Sequence, residues 1–352
     1  MIDICFFVYT FVSKKADTFK NQITKYQITM KKTLLAAMAA ALMMTSCSDE
    51  KALNILNNLK DLPVEVQFTS NIAQMETRVG ETDWEDDLVG IFMVTPDWAF
   101  IQPSAILVEN QCYFAPAGAT ASFSPYPSGS SPIYFPSDSS DVQFIAYHPY
   151  TATLHTLPDY PDVAVRVDLS DQRNLSALDM LWCRSSDKNI TSGPVSLTFT
   201  HRMVKLVFNI SNDASITEPV ENGIQVIVEN VKLVGNFWLS NGFTTGNGMA
   251  DQKITAYGNG TVEMIVFPDY FEYLDGLPEV IVTFTNGAGQ QFTAVIPANA
   301  TSLSVTSGIP MLEWEPGTKY TYNVTLSEGM VAIEGTIAPW TDENGGSITA
   351  LP

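Results

Sequence analysis

Residues 320–326 read Tyr-Thr-Tyr-Asn-Val-Thr-Leu. Tyr320, Tyr322, Val324 and Leu326 alternate with Thr321, Asn323 and Thr325, the period of two that gives each face of an extended chain its own row of side chains. Similar β-branched and aromatic runs recur upstream: VEVQFTS at 64–70, VGIFMV at 89–94, VQFIAY at 142–147 and VKLVFNI at 204–210. QVIVENVKLV at 225–234, TVEMIVF at 261–267 and EVIVTFT at 279–285 continue the pattern. Clusters of Gly, Pro, Asn, Ser and Asp separate the runs. One of them, Asn286-Gly287-Ala288-Gly289, is a hairpin loop whose glycines supply positive φ. No helical period of useful length follows residue 62, so the sequence predicts an all-β chain of sandwich type.

Ahead of the β-rich part, residues 30–50 read MKKTLLAAMAAALMMTSCSDE. Lys31 and Lys32 form a basic region, and 34–44 is an apolar run long enough for a signal sequence but too short to span a bilayer. Thr45 and Ser46 then lead into Cys47 as in a lipoprotein lipobox, although Met44 stands where such boxes more often carry Leu. Cleavage there would leave Cys47 as an acylated first residue, whose combined acyl chains anchor stably where a single one holds only marginally. The expected organisation is an upstream segment over 1–29, with Met30 rather than Met1 as initiator, and a signal peptide over 30–46. A lipid-proximal tether over 47–62 follows, with Ala52, Leu53, Leu56 and Leu59 at helical spacing. An N-terminal sandwich over 63–215 and a C-terminal sandwich over 216–352 complete it, meeting in the polar stretch 212–223. The Pro/Ser-rich stretch 125–136 (PYPSGSSPIYFP) reads as an ordered surface loop.

The chain has 18 basic and 38 acidic residues, a net charge of −20. Residues 1–46 hold six lysines and two aspartates, which leaves 12 basic against 36 acidic residues from Cys47 onward, a net charge of −24. Such a surface repels nucleic acid and anionic lipid, so neither is an expected partner of the folded part. The acids are scattered, and no D-x-[DN]-x-[DN]-G loop is present, so no metal is expected. Cys112 and Cys183 are expected to be separate thiols.

Catalytic signatures are missing. There is no G-x-S-x-G, H-E-x-x-H, P-loop or G-x-G-x-x-G following a strand. His148, His155 and His201 read as structural. Asp86 and Asp87 make a poor acid–base pair, because neighbours in a strand point to opposite faces. The six tryptophans are spread along the whole chain and read as core and loop plugs. No catalytic residue, no cofactor and no enzymatic activity are expected.

One ordered set of motifs remains. After the run at 64–70 come Thr77-Arg78-Val79, Trp84-x-x-Asp87-x-Val89-Gly90-Ile91-Phe92-Met93, PIYFP at 132–136 and FIAYHPY at 144–150. DLSDQ at 168–172, DML at 179–181 and LTFTHRMVKL at 197–206 follow, and the chain closes on WEPGTKYTY at 314–322 and GTIAPW at 335–340. In this order the motifs resemble the fimbrillin (Mfa-like, FimA-type) lipoproteins of Bacteroidales over about residues 60–345. Ser48-Asp49-Glu50 also resembles the acidic signal that sends lipoproteins of that phylum to the cell surface.

The resemblance implies two transthyretin-like, Greek-key β-sandwich domains in tandem and a role in surface fimbriae or adhesion. It implies a surface-exposed protein held in outer-membrane lipid through acylated Cys47, and carried into the fimbrium after processing. Pilus-forming members of that family are cleaved after an arginine near the first strand, and a strand of another subunit fills the trough so opened. By that resemblance Arg78 is the cleavage residue, and Val64, Val66 and Phe68 are the inward residues of the departing strand. The donor would be the tail at 327–340. Partners are then other fimbrial subunits, with the host or bacterial surface ligand left open, as are the stalk, anchor and tip roles. The competing reading is a stand-alone surface glycan-binding lipoprotein, whose signature would be exposed clustered tryptophans such as Trp98 or Trp238.

Overall fold

The computed structural model describes residues 63–72, 83–96, 105–157, 160–248, 250–272, 279–301, 310–328 and 330–339. All of them belong to one compact unit, Pro63–Pro352. Apart from a single 3-10 turn at Val220–Asn222, their regular elements are strands. The first are β1 (Phe68–Ile72), β2 (Asp87–Val94), β3 (Ile106–Ala115), β4 (Thr120–Ser122), β5 (Ser124–Pro125) and β6 (Gln143–His148). Next come β7 (His155–Leu157), β8 (Tyr160–Asp168), β9 (Leu181–Arg184), β10 (Val195–His201) and β11 (Val204–Asn212). The chain continues through β12 (Ile224–Val231), β13 (Val234–Trp238), β14 (Thr244–Gly246), β15 (Gln252–Gly258), β16 (Thr261–Val266) and β17 (Asp269–Glu272). It ends with β18 (Ile281–Asn286), β19 (Gln291–Val295), β20 (Ala300–Thr301), β21 (Pro310–Trp314), β22 (Thr318–Ser327) and β23 (Met330–Pro339).

An eight-stranded sheet runs β4-β1-β10-β9-β6-β2-β3-β5. Its middle is buried on both faces. Val89, Ile91 and Met93 of β2 join Phe144 and Ala146 of β6 in one core, while Phe92, Val94, Ile145 and Tyr147 point into the other. Burial on two sides explains why VGIFMV reads as a continuous apolar run rather than an alternation. Gly90 lies where the Tyr147 ring crosses β2; a Cβ there would stand 2.2 Å from the ring.

Two four-stranded sheets, β16-β11-β22-β23 and β15-β12-β18-β19, face each other across the second core. Phe208 of β11 stacks on Tyr322 of β22 at 5.3 Å and meets Phe284 of β18 edge-on at 5.8 Å. Tyr320, Tyr322, Val324 and Leu326 are all buried, as their alternation predicts. The 286–289 loop closes the β18–β19 hairpin with Gly289 at φ +80°. Smaller sheets, β14-β13-β8-β7 and β17-β21-β20, complete the unit.

The apolar run across 196–210 is not one strand. It breaks at Arg202-Met203, with β10 in the eight-stranded sheet and β11 between β16 and β22. Strand pairing also runs across residue 215, since β8 pairs with β13 and β11 with β16 and β22. The 125–136 stretch is more than a surface loop. Ile133 and Phe135 are buried at 2% and 5% exposure, because the alternating Ile-Tyr-Phe segment pairs with the chain just before β1.

Candidate functional site: the first strand

The chain enters the unit through a clamp. The Val66 amide donates to the Ile133 carbonyl at 2.9 Å, and the Phe135 amide donates to the Val64 carbonyl at 3.0 Å. The regular ladder therefore starts at Phe68, later than the run at 64–70 suggests. From there β1 runs parallel to β10, Phe68 opposite Val195 and Ile72 opposite Phe199. On its other side it runs antiparallel to β4, Thr69 opposite Ser122 and Asn71 opposite Thr120. Both of its backbone edges are occupied, and the three-residue β4 forms the outer edge of the sheet.

The inward side chains anchor this strand. Phe68 is 2% exposed and meets Tyr113 edge-on at 5.3 Å. Val66 and Ile72 are buried in the same core as Trp84, whose ring meets Phe199 of β10 edge-on at 5.1 Å. Val64 departs from the expectation that it faces inward. It is 39% exposed, because the 133–135 clamp holds its backbone at the rim, beyond the reach of the core. Ser70 shares the inward face of β1 at 4% exposure, and its hydroxyl is without a hydrogen-bond partner. The Tyr113 hydroxyl accepts from the Ile133 amide at 2.9 Å and so braces the clamp; burial pushes its pKa up to about 12. Arg78 and Cys47 lie outside the described residues.

The histidines do not form a shared constellation. His201 Nδ1 lies 2.8 Å from Asp179, and His148 Nδ1 lies 3.3 Å from the Leu88 carbonyl with Asp87 4.0 Å from its Nε2. His148 and Asp179 border a cavity of about 270 Å³ with Asp83, Glu85, Asp87 and Lys205. His155 is exposed and borders a different cavity. Among the described residues no three His, Cys, Asp or Glu side chains gather as metal ligands. Cys112 and Cys183 are separate thiols, the first half-buried and the second buried. Trp84 and Trp314 are core residues, and the ring nitrogens of Trp182 and Trp238 donate to the Leu239 carbonyl and the Thr245 hydroxyl. These four form no common exposed platform; Trp98 lies outside the described residues.

A sequence model of fimbrillin-like proteins matches residues 77–340. The chain belongs to the fimbrillin-like family. Fim1C of Bacteroides uniformis, a protein named as a fimbrium subunit, is 28% identical over 332 residues, 91% of this chain and 98% of its own length. A crystal structure named as a cell adhesion protein of the same species is 25% identical and superposes with a TM-score of 0.60, over 79% of this chain and 98% of that one. Another, from Bacteroides ovatus, has the same fold with a TM-score of 0.60 at 21% identity, over 80% of this chain and all of its own.

In this fimbrillin-like chain the WEPGT turn bolts the β22 sheet to the break between β10 and β11. Gly317 adopts φ +71°, donates its amide to the Met203 carbonyl at 2.8 Å, and leaves no room for a Cβ, which would stand 2.9 Å from the His201 carbonyl. Sequence reasoning missed the two elements that hold β1 in place, β4 and the 133–135 segment. The alternation of Ile133 and Phe135 inside a Pro/Ser-rich stretch was the signal for the second. Three residues of β4 carry too little pattern for the first.

Proposed function

We propose that this protein is a structural subunit of a surface fimbria that is exported, anchored in the outer membrane through acylated Cys47, and matured by cleavage after Arg78. Cleavage there frees the segment that contains β1, and an extended strand of another subunit takes its place. The observation that carries this reading is the double-sided seat of β1. With Val66, Phe68 and Ile72 buried and β4 and β10 paired to its two edges, its departure opens an apolar trough with two unpaired backbone rows. β-Augmentation satisfies both. Burial of three such side chains contributes about 5–9 kcal/mol, which is comparable with the whole stability of a domain at about 5–15 kcal/mol. A vacated trough is therefore untenable unless it is refilled. The proposed donor is the tail containing β23, which among the described residues pairs with β22 alone and sits at the end of its sheet.

The test is limited digestion of the full chain, with Cys47→Ser to remove the lipid, by an arginine-specific protease. The products are run unboiled on a denaturing gel, and the new N-terminus is sequenced. A cut after Arg78 followed by a ladder of detergent-resistant oligomers supports a polymerising subunit. A cut chain that stays monomeric, or a chain that resists the cut, removes the strand-exchange reading in favour of an anchor or tip.

A further inference from the structure

The sheet β15-β12-β18-β19 buries one face in the sandwich and turns the other outward, and its register stacks the outward residues in three cross-strand rows. Tyr257, Gln225, Thr285 and Gln291 form the first row. Thr255, Ile227, Thr283 and Thr293 form the middle one. Lys253, Glu229, Ile281 and Val295 form the third. Tyr257 is 71% and Val295 39% exposed. Charge is confined to neighbouring Lys253 and Glu229, so the face is neutral in a chain with 38 acidic and 18 basic residues. Copies of so acidic a protein repel one another over most approaches. This face adds no local like-charge contact to that net repulsion.

The rows also complement one another. When two copies meet face to face about a two-fold axis perpendicular to the strands, the middle row opposes itself and the first row opposes the third. Lys253 then lies against the Tyr257 ring, a cation–π arrangement. Glu229 opposes the Gln225 amide, Ile281 opposes the Thr285 methyl, and Ile227 meets its own symmetry mate. Such an isologous contact closes on itself, and aligned sheet stacking is an ordinary packing mode.

We propose that this face joins two copies of this chain side by side, independently of any strand exchange along the fimbria axis. Four strands at about 4.8 Å spacing and five residues at about 3.4 Å rise cover about 300 Å² per partner, against about 800 Å² in a standard interface. A single contact is accordingly weak and reversible, and it gains strength where copies are tethered in arrays.

The full Cys47→Ser chain is examined by sedimentation velocity across concentration and salt. Self-association is expected to rise with ionic strength, because the Debye length shrinks from about 10 Å at 0.1 M to about 3 Å at 1 M and screens the net repulsion. Ile227→Asp and, separately, Thr283→Glu are expected to weaken it at least tenfold with unchanged circular dichroism; Thr283→Glu keeps the test decisive should the first variant misfold. Ile227→Cys is expected to be joined into a covalent dimer by a short bismaleimide, which spans the roughly 10 Å between stacked sheets, and neither the parent nor Thr261→Cys, on the opposite sheet, is expected to be joined. Absence of association at every salt concentration, association unaffected by both charged variants, or no cross-link at Ile227→Cys each overturns the proposal.

Discussion

The ring of Phe68 meets that of Phe144 edge-on, with centroids 5.0 Å apart and planes at 83°. This contact ties the entering strand to β6, which is buried on both faces, so the first strand is part of the core rather than a cover over it. Phe68→Ala is expected to destabilise the unit by about 3–5 kcal/mol, read as a lower denaturation midpoint in urea. A midpoint within error of the parent would contradict the buried seat.

Ser70 is the weak point of the same strand. Its buried, unpartnered hydroxyl carries a desolvation penalty of about 1–3 kcal/mol. Ser70→Ala is therefore expected to stabilise the protein and raise its melting midpoint by a few degrees in calorimetry, and to slow any exchange of β1 in the digestion assay. A lower midpoint would show that the hydroxyl is satisfied in solution.

Tyr113 braces the 133–135 clamp, and its alkaline behaviour is predictable. Burial raises its folded pKa from 10.0 to about 12, and that of Tyr320 likewise to about 12. The unfolded chain therefore loses these protons first, and the associated stability, complete below pH 10, is lost as pH rises toward 12. Tyr113→Phe is expected to lower stability at pH 7, because the Ile133 amide loses its acceptor, and to flatten the decline between pH 10 and 12. Urea titrations of both proteins across that window measure the two slopes.

The thiols should differ in reactivity. Burial pushes the pKa of both upward, far more for Cys183 than for half-buried Cys112. Iodoacetamide labelling of the folded protein followed by mass spectrometry is expected to modify Cys112 at least roughly tenfold faster than Cys183, with both equal once the chain is unfolded. Equal rates in the folded state would refute the buried placement of Cys183.

Much of this architecture was legible because period-two alternation is local. Tyr320, Tyr322, Val324 and Leu326 declared their buried face, and the 286–289 loop declared its hairpin. Pairing is not local. The β1–β10 and β11–β22 ladders join segments more than a hundred residues apart, and both run parallel, so no connecting turn announces them. The break at Arg202-Met203 was hidden for the same reason, since alternation says that a chain is extended but not which sheet it enters. At the candidate site, the inward placement of Val66 and Phe68 followed from the family resemblance and not from the spacing of the run alone. The exposure of Val64 did not, because it depends on a clamp drawn from residues 133–135. The unpaired hydroxyl of Ser70 likewise depends on what surrounds it.

The parallel pairing of β11 with β22 has a mechanical consequence. A fimbria under flow is pulled lengthwise, and tension that enters through β10 reaches β11 at its N-terminal end. If it leaves through β23, it departs from the C-terminal end of β22. Two parallel strands drawn from opposite ends are loaded in shear, so the eight register pairs from Lys205–Lys319 to Asn212–Leu326 must give way together instead of unzipping one at a time. A pull between the start of β11 and the end of β22 is thereby shared across the whole ladder at once.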